Sequence, residues 1–202
     1  MTSPFDALAP FYSELWSNTR KGRDQREAVW REIDGLFQPG DRVLDLGCGT
    51  GDDALHLASL EVEVLGIDAS PKMVEVARNR GVSASVLAIE SLERLRWPFS
   101  GAISNFGALN CIADLLPVAA KLARLVQPGG PVAICLMGRF CFTDLRHAAK
   151  RWFGRTRWRG MDVYYPTSRQ VRANFAPWFE FERRVSIGGD HQLYIFRRRF
   201  EC

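Results

Sequence analysis

The sequence predicts an α/β fold: a doubly wound, mostly parallel sheet with helices on both faces and cap helices ahead of the first strand. Three observations predict it. Short β-prone runs alternate with helical segments over most of the chain. Several of those runs, "PVAICLM" among them, are too apolar to leave a solvated face, which suits buried parallel strands. The alternation then closes on an antiparallel hairpin, with "FEFERRVSI" and "HQLYIFRRR" flanking Gly188-Gly189-Asp190.

In chain order, residues 5 to 37 read as two amphipathic helices, around Phe5–Trp16 and Asp24–Phe37. "DRVLDL" is the first strand, and "DDALHLASL" the helix behind its glycine turn. "EVEVLGID" follows as a strand, then "PKMVEVARNR" as a helix, with Ser70 as N-cap, Pro71 in the first turn and Gly81 as the stop. "SASVLAI" and "SGAISNF" are strands, and "IADLLPVAAKLARLV" is a long helix ended by Gln127-Pro128-Gly129-Gly130 before "PVAICLM". With no repeat or linker, the chain reads as one domain over 1–202: cap helices to 40, a core over 41–137, an insertion over 138–177 and the hairpin over 178–202.

Composition bounds the function. The 202 residues are 47% hydrophobic and 25% charged, ordinary for a globular domain with a full core. The N-terminus lacks the basic and apolar regions of a signal peptide, and no apolar run approaches a membrane span. Cys48, Cys111, Cys135, Cys141 and Cys202 form no C-x-x-C pair, which points to reduced thiols in a cytoplasmic protein without a metal site. Net charge is +4, concentrated in Arg146, Lys150, Arg151, Arg155, Arg157 and Arg159, interleaved with Trp152, Phe153 and Trp158.

The densest chemistry lies in "VLDLGCGTGDD", residues 43–53. A dinucleotide turn needs G-x-G-x-x-G with a pyrophosphate on the helix N-terminus. Here the third position of that pattern is Asp52, and Asp53 adds a second negative charge, so phosphate fits poorly. A ligand carrying positive charge beside a nucleoside fits better: its cationic groups would lie near Asp45 and Asp52, and Asp68, at the end of the second strand, would take ribose hydroxyls.

These residues resemble the class I S-adenosylmethionine-dependent methyltransferases. The likeness rests on "VLDLGCGTG", "VLGIDASPKMVEVAR", "AISNFGALN" and "ARLVQPGGPVAICLM", in that order, together with the terminal hairpin. It implies a seven-stranded sheet of order 3-2-1-4-5-7-6 with the last strand antiparallel, and S-adenosyl-L-methionine as cofactor. It further implies that Gly47, Cys48, Gly49 and Gly51 pack against that cofactor and that Asp45 sits under its amino group. Asp68 would bind the ribose, Ala69 and Met73 would flank the adenine, and Asn105 with Phe106 would lie near the methionine moiety. Where many members carry an aspartate this chain has Ala88, so adenine recognition falls to the backbone near Ile89 and Glu90.

Methyl transfer is an in-line displacement, so positioning and exclusion of water carry much of the catalysis, and a base is needed only for a protonated acceptor. Candidates are Tyr12 of the cap, against a core-anchor reading shared with Phe11 and Trp16; Asn110, against a helix-cap role; and His147, against a solvent-facing position. Cys111 reads as a small buried residue, and His56 and His191 as residues without a role. The likeness makes residues 145–166 a substrate-side insertion: a solvated basic face, a lid for an anionic or aromatic small molecule, or a contact for RNA or an acidic membrane. The reading is a small-molecule methyltransferase. RNA- or protein-directed methylation and a non-catalytic cofactor-binding scaffold are the alternatives, and the oligomeric state stays open.

Overall fold

The computed structural model describes residues 3–96, 98–139, 151 and 153–200. Helix α1, Arg20–Ile33, opens at Thr19, whose hydroxyl accepts from the Gly22 N–H at 3.0 Å. Strand β1 (Arg42–Leu46) leads through the glycine turn into α2 (Asp52–Ser59), and β2 (Glu63–Asp68) into α3 (Pro71–Asn79), where Ser70 accepts from the Met73 N–H. Then come β3 (Ala84–Val86), β4 (Gly101–Ser104), α4 (Leu116–Leu125) and β5 (Pro131–Met137). Strands β6 (Arg155–Trp158) and β7 (Met161–Tyr164) form a separate ribbon, α5 covers Ser168–Phe175, and β8 (Phe179–Ser186) and β9 (His191–Arg198) end the chain.

The seven-stranded sheet has the order β3-β2-β1-β4-β5-β9-β8, with β1 to β5 parallel and β9 antiparallel to both neighbours. Counting only its own strands, this is the expected order. Period-two alternation divides the core. Leu44, Leu46, Val132 and Ile134 face α4 and α5, while Val43, Ile103, Ala133 and Cys135 face α1 and α2. Asp45 therefore shares the face of Val43, beneath α1 and α2.

Three expectations are corrected. Residues 5–16 are not one α-helix: Pro10 lacks the N–H a regular ladder needs, and the segment folds as a 3-10 turn at Ala9–Phe11 and a π-turn at Ser13–Ser17. The second cap helix starts a turn earlier than expected and ends at Ile33 rather than Phe37. The long helix loses residues 112–115, because Pro117 sits in the first turn of α4. Within the insertion, the β6–β7 ribbon turns at Arg159 and Gly160, whose φ values of 48° and 82° are those of a tight hairpin turn.

Candidate active site

The crevice lies at the C-terminal ends of β1, β2 and β4, where doubly wound sheets place their ligands. Gly47, Gly49 and Gly51 all have positive φ, but for different reasons. A Cβ on Gly47 would lie 2.2 Å from the Ala108 Cβ, and one on Gly51 2.7 Å from the Val82 Cγ2. Those two glycines are required by packing. Around Gly49 nothing lies within 4 Å of such a Cβ, so its backbone faces open space.

Asp68 is tied to that open turn. Its Oδ2 accepts from the Gly49 N–H at 3.0 Å and its Oδ1 from the Ser70 N–H at 2.8 Å. Each oxygen keeps acceptor capacity for a hydroxyl. Burial raises its pKa; the two N–H donors oppose this and Asp6 adds to it, for a net rise. Asp45 is 1% exposed, and among the described residues its Oδ2 has no hydrogen-bond partner. Burial pushes it well above the usual carboxylate range, and Asp53, Asp68 and Asp52 push in the same direction against Arg26.

Asp52 and Asp53 are neutralised from within the chain rather than left for a ligand, which corrects the reading of Asp52. Arg26 of α1 donates Nη1 to Asp53 Oδ1 at 2.8 Å and sets Nη2 3.5 Å from Asp52 Oδ2. Trp30 Nε1 and Asn105 Nδ2 also donate to Asp53, at 2.8 and 3.2 Å, and Ser17 Oγ and Arg80 Nη1 bind Asp52 at 2.6 and 2.7 Å. Burial alone would raise Asp52, but these partners outweigh it and hold it low. Among the described residues, the buried polar atoms without a partner besides Asp45 Oδ2 include the donors Arg26 Nε and Trp16 Nε1 and the acceptors Asn105 Oδ1 and Gln25 Oε1. The sequence carried a missed signal here. Gly22, Gln25, Arg26, Val29 and Ile33 form the buried stripe of α1, so Gln25 and Arg26 are polar residues on an apolar face.

Tyr12 stands in the field of Arg26, Asp52, Asp53 and Asp68, and burial pushes its hydroxyl up to about 12. It is a neutral donor at physiological pH, not a base. Phe106 closes the wall with a φ of 54°, a strained backbone for a residue with a Cβ, and lies under the Arg26 guanidinium at 4.8 Å. Trp16 packs against Phe106 with ring centroids 6.4 Å apart.

Other expected residues settle elsewhere. Cys48 buries its sulfur where a Gly66 Cβ would lie, and its N–H bonds the Ile67 carbonyl. Met73 is buried and Ala69 exposed. Ile89 is buried near Gly47, whereas the Glu90 side chain is exposed and its carbonyl accepts from Lys121 Nζ. Asn110 is corrected: it is fully buried, its amide donates to the Met137 and Tyr164 carbonyls at 3.1 and 2.6 Å, and its oxygen accepts from the Met137 N–H. It fastens the ribbon to β5 and has no donor left for a substrate. His147 lies outside the described residues. His56 bonds Asp34 at 2.6 Å and stacks on Trp30. His191, expected to be without a role, is 5% exposed, with Nδ1 3.1 Å from Asp190 Oδ1.

Comparison with known proteins fits this geometry. A family model described as a methyltransferase domain matches residues 37–170. The chain belongs to that family. It is a methyltransferase domain with the class I fold. It is 31% identical over 150 residues to a 27-O-demethylrifamycin SV methyltransferase of Amycolatopsis mediterranei, covering 64% of this chain and 55% of that one. A 2-phytyl-1,4-naphtoquinone methyltransferase of Synechococcus elongatus is 33% identical over 149 residues, covering 67% and 62%. The chain thus spans about 55–62% of the length of these relatives. Among solved structures, the CcbJ methyltransferase of Streptomyces caelestis shares the fold, with a TM-score of 0.77 at 16% identity over 98% of this chain and 99% of that one.

Proposed function

We propose that the protein transfers a methyl group from S-adenosyl-L-methionine to a small-molecule acceptor. The observation that carries the reading is the pattern of orphans around an open turn. Among the described residues, Asp45 Oδ2 and Asn105 Oδ1 are buried acceptors without donors, Arg26 Nε is a buried donor without an acceptor, and Gly49 faces empty space beside Asp68. A zwitterionic amino acid joined to a nucleoside satisfies that set: its ammonium meets Asp45, its carboxylate Arg26 and its ribose Asp68. A pyrophosphate does not, because the crevice holds Asp45, Asp52, Asp53 and Asp68 against a single fully enclosed arginine.

When bound, the cofactor supplies an electrophilic methyl carbon on a cationic sulfur. This chain's residues hold, orient and exclude water. Asp68 and the Gly49 backbone fix the nucleoside, the Ile89 backbone borders it, and Tyr12, Trp16 and Phe106 form an aromatic wall over the reacting end. The named relatives act on a demethylrifamycin and a phytyl naphthoquinone, and others are ubiquinone biosynthesis O-methyltransferases. The rifamycin and ubiquinone names, which print an oxygen as the methylated atom, support a hydroxyl on a small molecule as the acceptor. Residues 138–177, with the ribbon, are the proposed acceptor side. Buried free Cys48 and Cys135 favour a cytoplasmic setting. No described helix is long and apolar enough to cross a membrane.

Calorimetric titration with S-adenosylmethionine, S-adenosylhomocysteine and NADH tests the reading. The first two bind in the micromolar range and NADH does not; binding of NADH alone would overturn it.

A further inference from the structure

The Gly188–His191 turn carries an ionisable pair that none of the cofactor contacts uses. His191 begins β9 opposite Met137, the last residue of β5, and so stands at the same sheet edge as the crevice. Its ring completes a triangle with those of Phe106 and Trp16, with centroids 5.8 and 6.3 Å away. Its Nδ1 edge faces Asp190 Oδ1 at 3.1 Å and Gln25 Nε2 at 3.3 Å. Gln25 is itself fixed by donating to the Gly188 carbonyl at 3.1 Å. Asp190 holds Arg151 through its other oxygen, and Arg151 lies 4.8 Å over the Tyr165 ring. Burial would raise Asp190, but hydrogen bonds from His191 and Arg151 outweigh it and keep it ionised.

Gln25 Nε2 can only donate and competes for the Nδ1 lone pair, but the ionised Asp190 carboxylate is nearer and charged; by accepting from Nδ1–H it leaves the lone pair of the neutral ring on Nε2. Among the described residues Nε2 has no hydrogen-bond partner. We propose that His191 is the base that takes the proton from the acceptor hydroxyl, with Asp190 as the positioning residue that sets its tautomer and Arg151 as the anchor of Asp190. The proposal rests on the methyl-transfer reading above and names the acceptor group: a hydroxyl that arrives protonated.

The step balances. The acceptor O–H bond breaks and its proton goes to His191 Nε2, while the acceptor oxygen bonds the methyl carbon. The carbon–sulfur bond breaks with its electron pair staying on sulfur, which leaves as a neutral thioether. The protonated ring keeps its contact with Asp190 and then returns its proton to water. Among the described residues, the charged groups around the ring are Asp190 and Arg151 on the turn side, Lys21 near Gly189, and Arg26 across the Phe106 ring. Asp190 is the one in contact.

Two measurements test this on the full chain. The first is 15N NMR of histidine-labelled protein loaded with S-adenosylhomocysteine, with the His191 signals assigned by His191→Gln. The expected neutral tautomer is Nδ1–H, moving toward Nε2–H in Asp190→Asn; a wild-type proton on Nε2 overturns the proposal. The second compares methylation of catechol, protonated at neutral pH, with that of 4-nitrothiophenol, which is largely ionised. His191→Gln should lower kcat for catechol by ~100-fold, the usual scale of a general base, recover as pH rises, and change the thiol rate by less than about fivefold. Equal losses on both acceptors would mean that His191 only supports the fold, and the base role would fall. If the wild type methylates neither probe, the hydroxyl-acceptor reading fails, while the tautomer still decides the dyad.

Discussion

The Gly49 N–H donates to Asp68 Oδ2 at 3.0 Å, making the turn after β1 and the end of β2 one rigid unit. That bond consumes one lone pair and aims the rest of the carboxylate into the crevice. Asp68→Ala should weaken S-adenosylhomocysteine binding by about 10- to 100-fold, the loss of one charge-assisted hydrogen bond of ~1.5–3 kcal/mol. Because the Asp68 pKa is raised, affinity should start to fall on acidification at a higher pH than for an ordinary carboxylate. Calorimetry across a pH series reads both; unchanged affinity in the variant would remove the ribose assignment.

The two glycines flanking Cys48 should respond oppositely to alanine. Gly47→Ala meets Ala108 at 2.2 Å and should lower Tm steeply. Gly49→Ala meets no atom within 4 Å, so its cost is the left-handed φ of 53°, about 1–2 kcal/mol, while its methyl intrudes on the space left for the ligand. Gly49→Ala is therefore the milder variant by thermal melting and the more damaging one by cofactor affinity relative to its stability loss.

Asp45→Asn should stabilise the ligand-free protein and weaken binding. A buried carboxylate oxygen without a partner costs ~1–3 kcal/mol. The sign follows from the raised pKa. Relative to the unfolded chain, Asp45 costs nothing below the usual carboxylate range, where it is protonated in both states, and destabilises as pH rises above it. The gain in Tm for Asp45→Asn should appear at neutral pH and vanish near pH 3; a variant that melts lower at neutral pH would contradict the orphan's cost.

Arg26→Met leaves buried Asp53 without its ion pair and Asp52 with Arg80 alone, and breaking a buried pair in this way costs ~3–5 kcal/mol. In the wild type the lowered pKa of Asp52 contributes stability above the usual carboxylate range, lost as pH falls through its folded pKa. The deficit of the variant should thus be greatest at neutral pH and shrink on acidification. Urea unfolding at two pH values measures it.

The parallel half of the sheet was legible because each strand end carries its own punctuation: Gly47 and Gly51 after β1, Ser70-Pro71 after β2, Pro128-Gly129 before β5. Asp45 and Asp68 were legible for a similar reason, as acids at strand ends beside glycines. The ribbon was not: its arginines resemble a solvated helix face, and only the Arg159-Gly160 turn betrays the hairpin. The first cap segment misled because its aromatic residues fall at helical spacing, whereas Pro10 forbids the ladder. Asn110 misled because an amide reads alike whether it faces a substrate or three backbone groups. His191 was passed over because its partners, Gln25 and Asp190, come from opposite ends of the sequence.

Asp6 accepts from the Ser70 hydroxyl at 2.6 Å, and Phe5 packs on Trp158 at 5.4 Å. The opening residues are thereby stitched to both flanks of the crevice. The consequence is mechanical: Phe5 and Asp6 form a strap from the start of α3 to the ribbon, so a substitution at either residue is felt on both sides of the crevice.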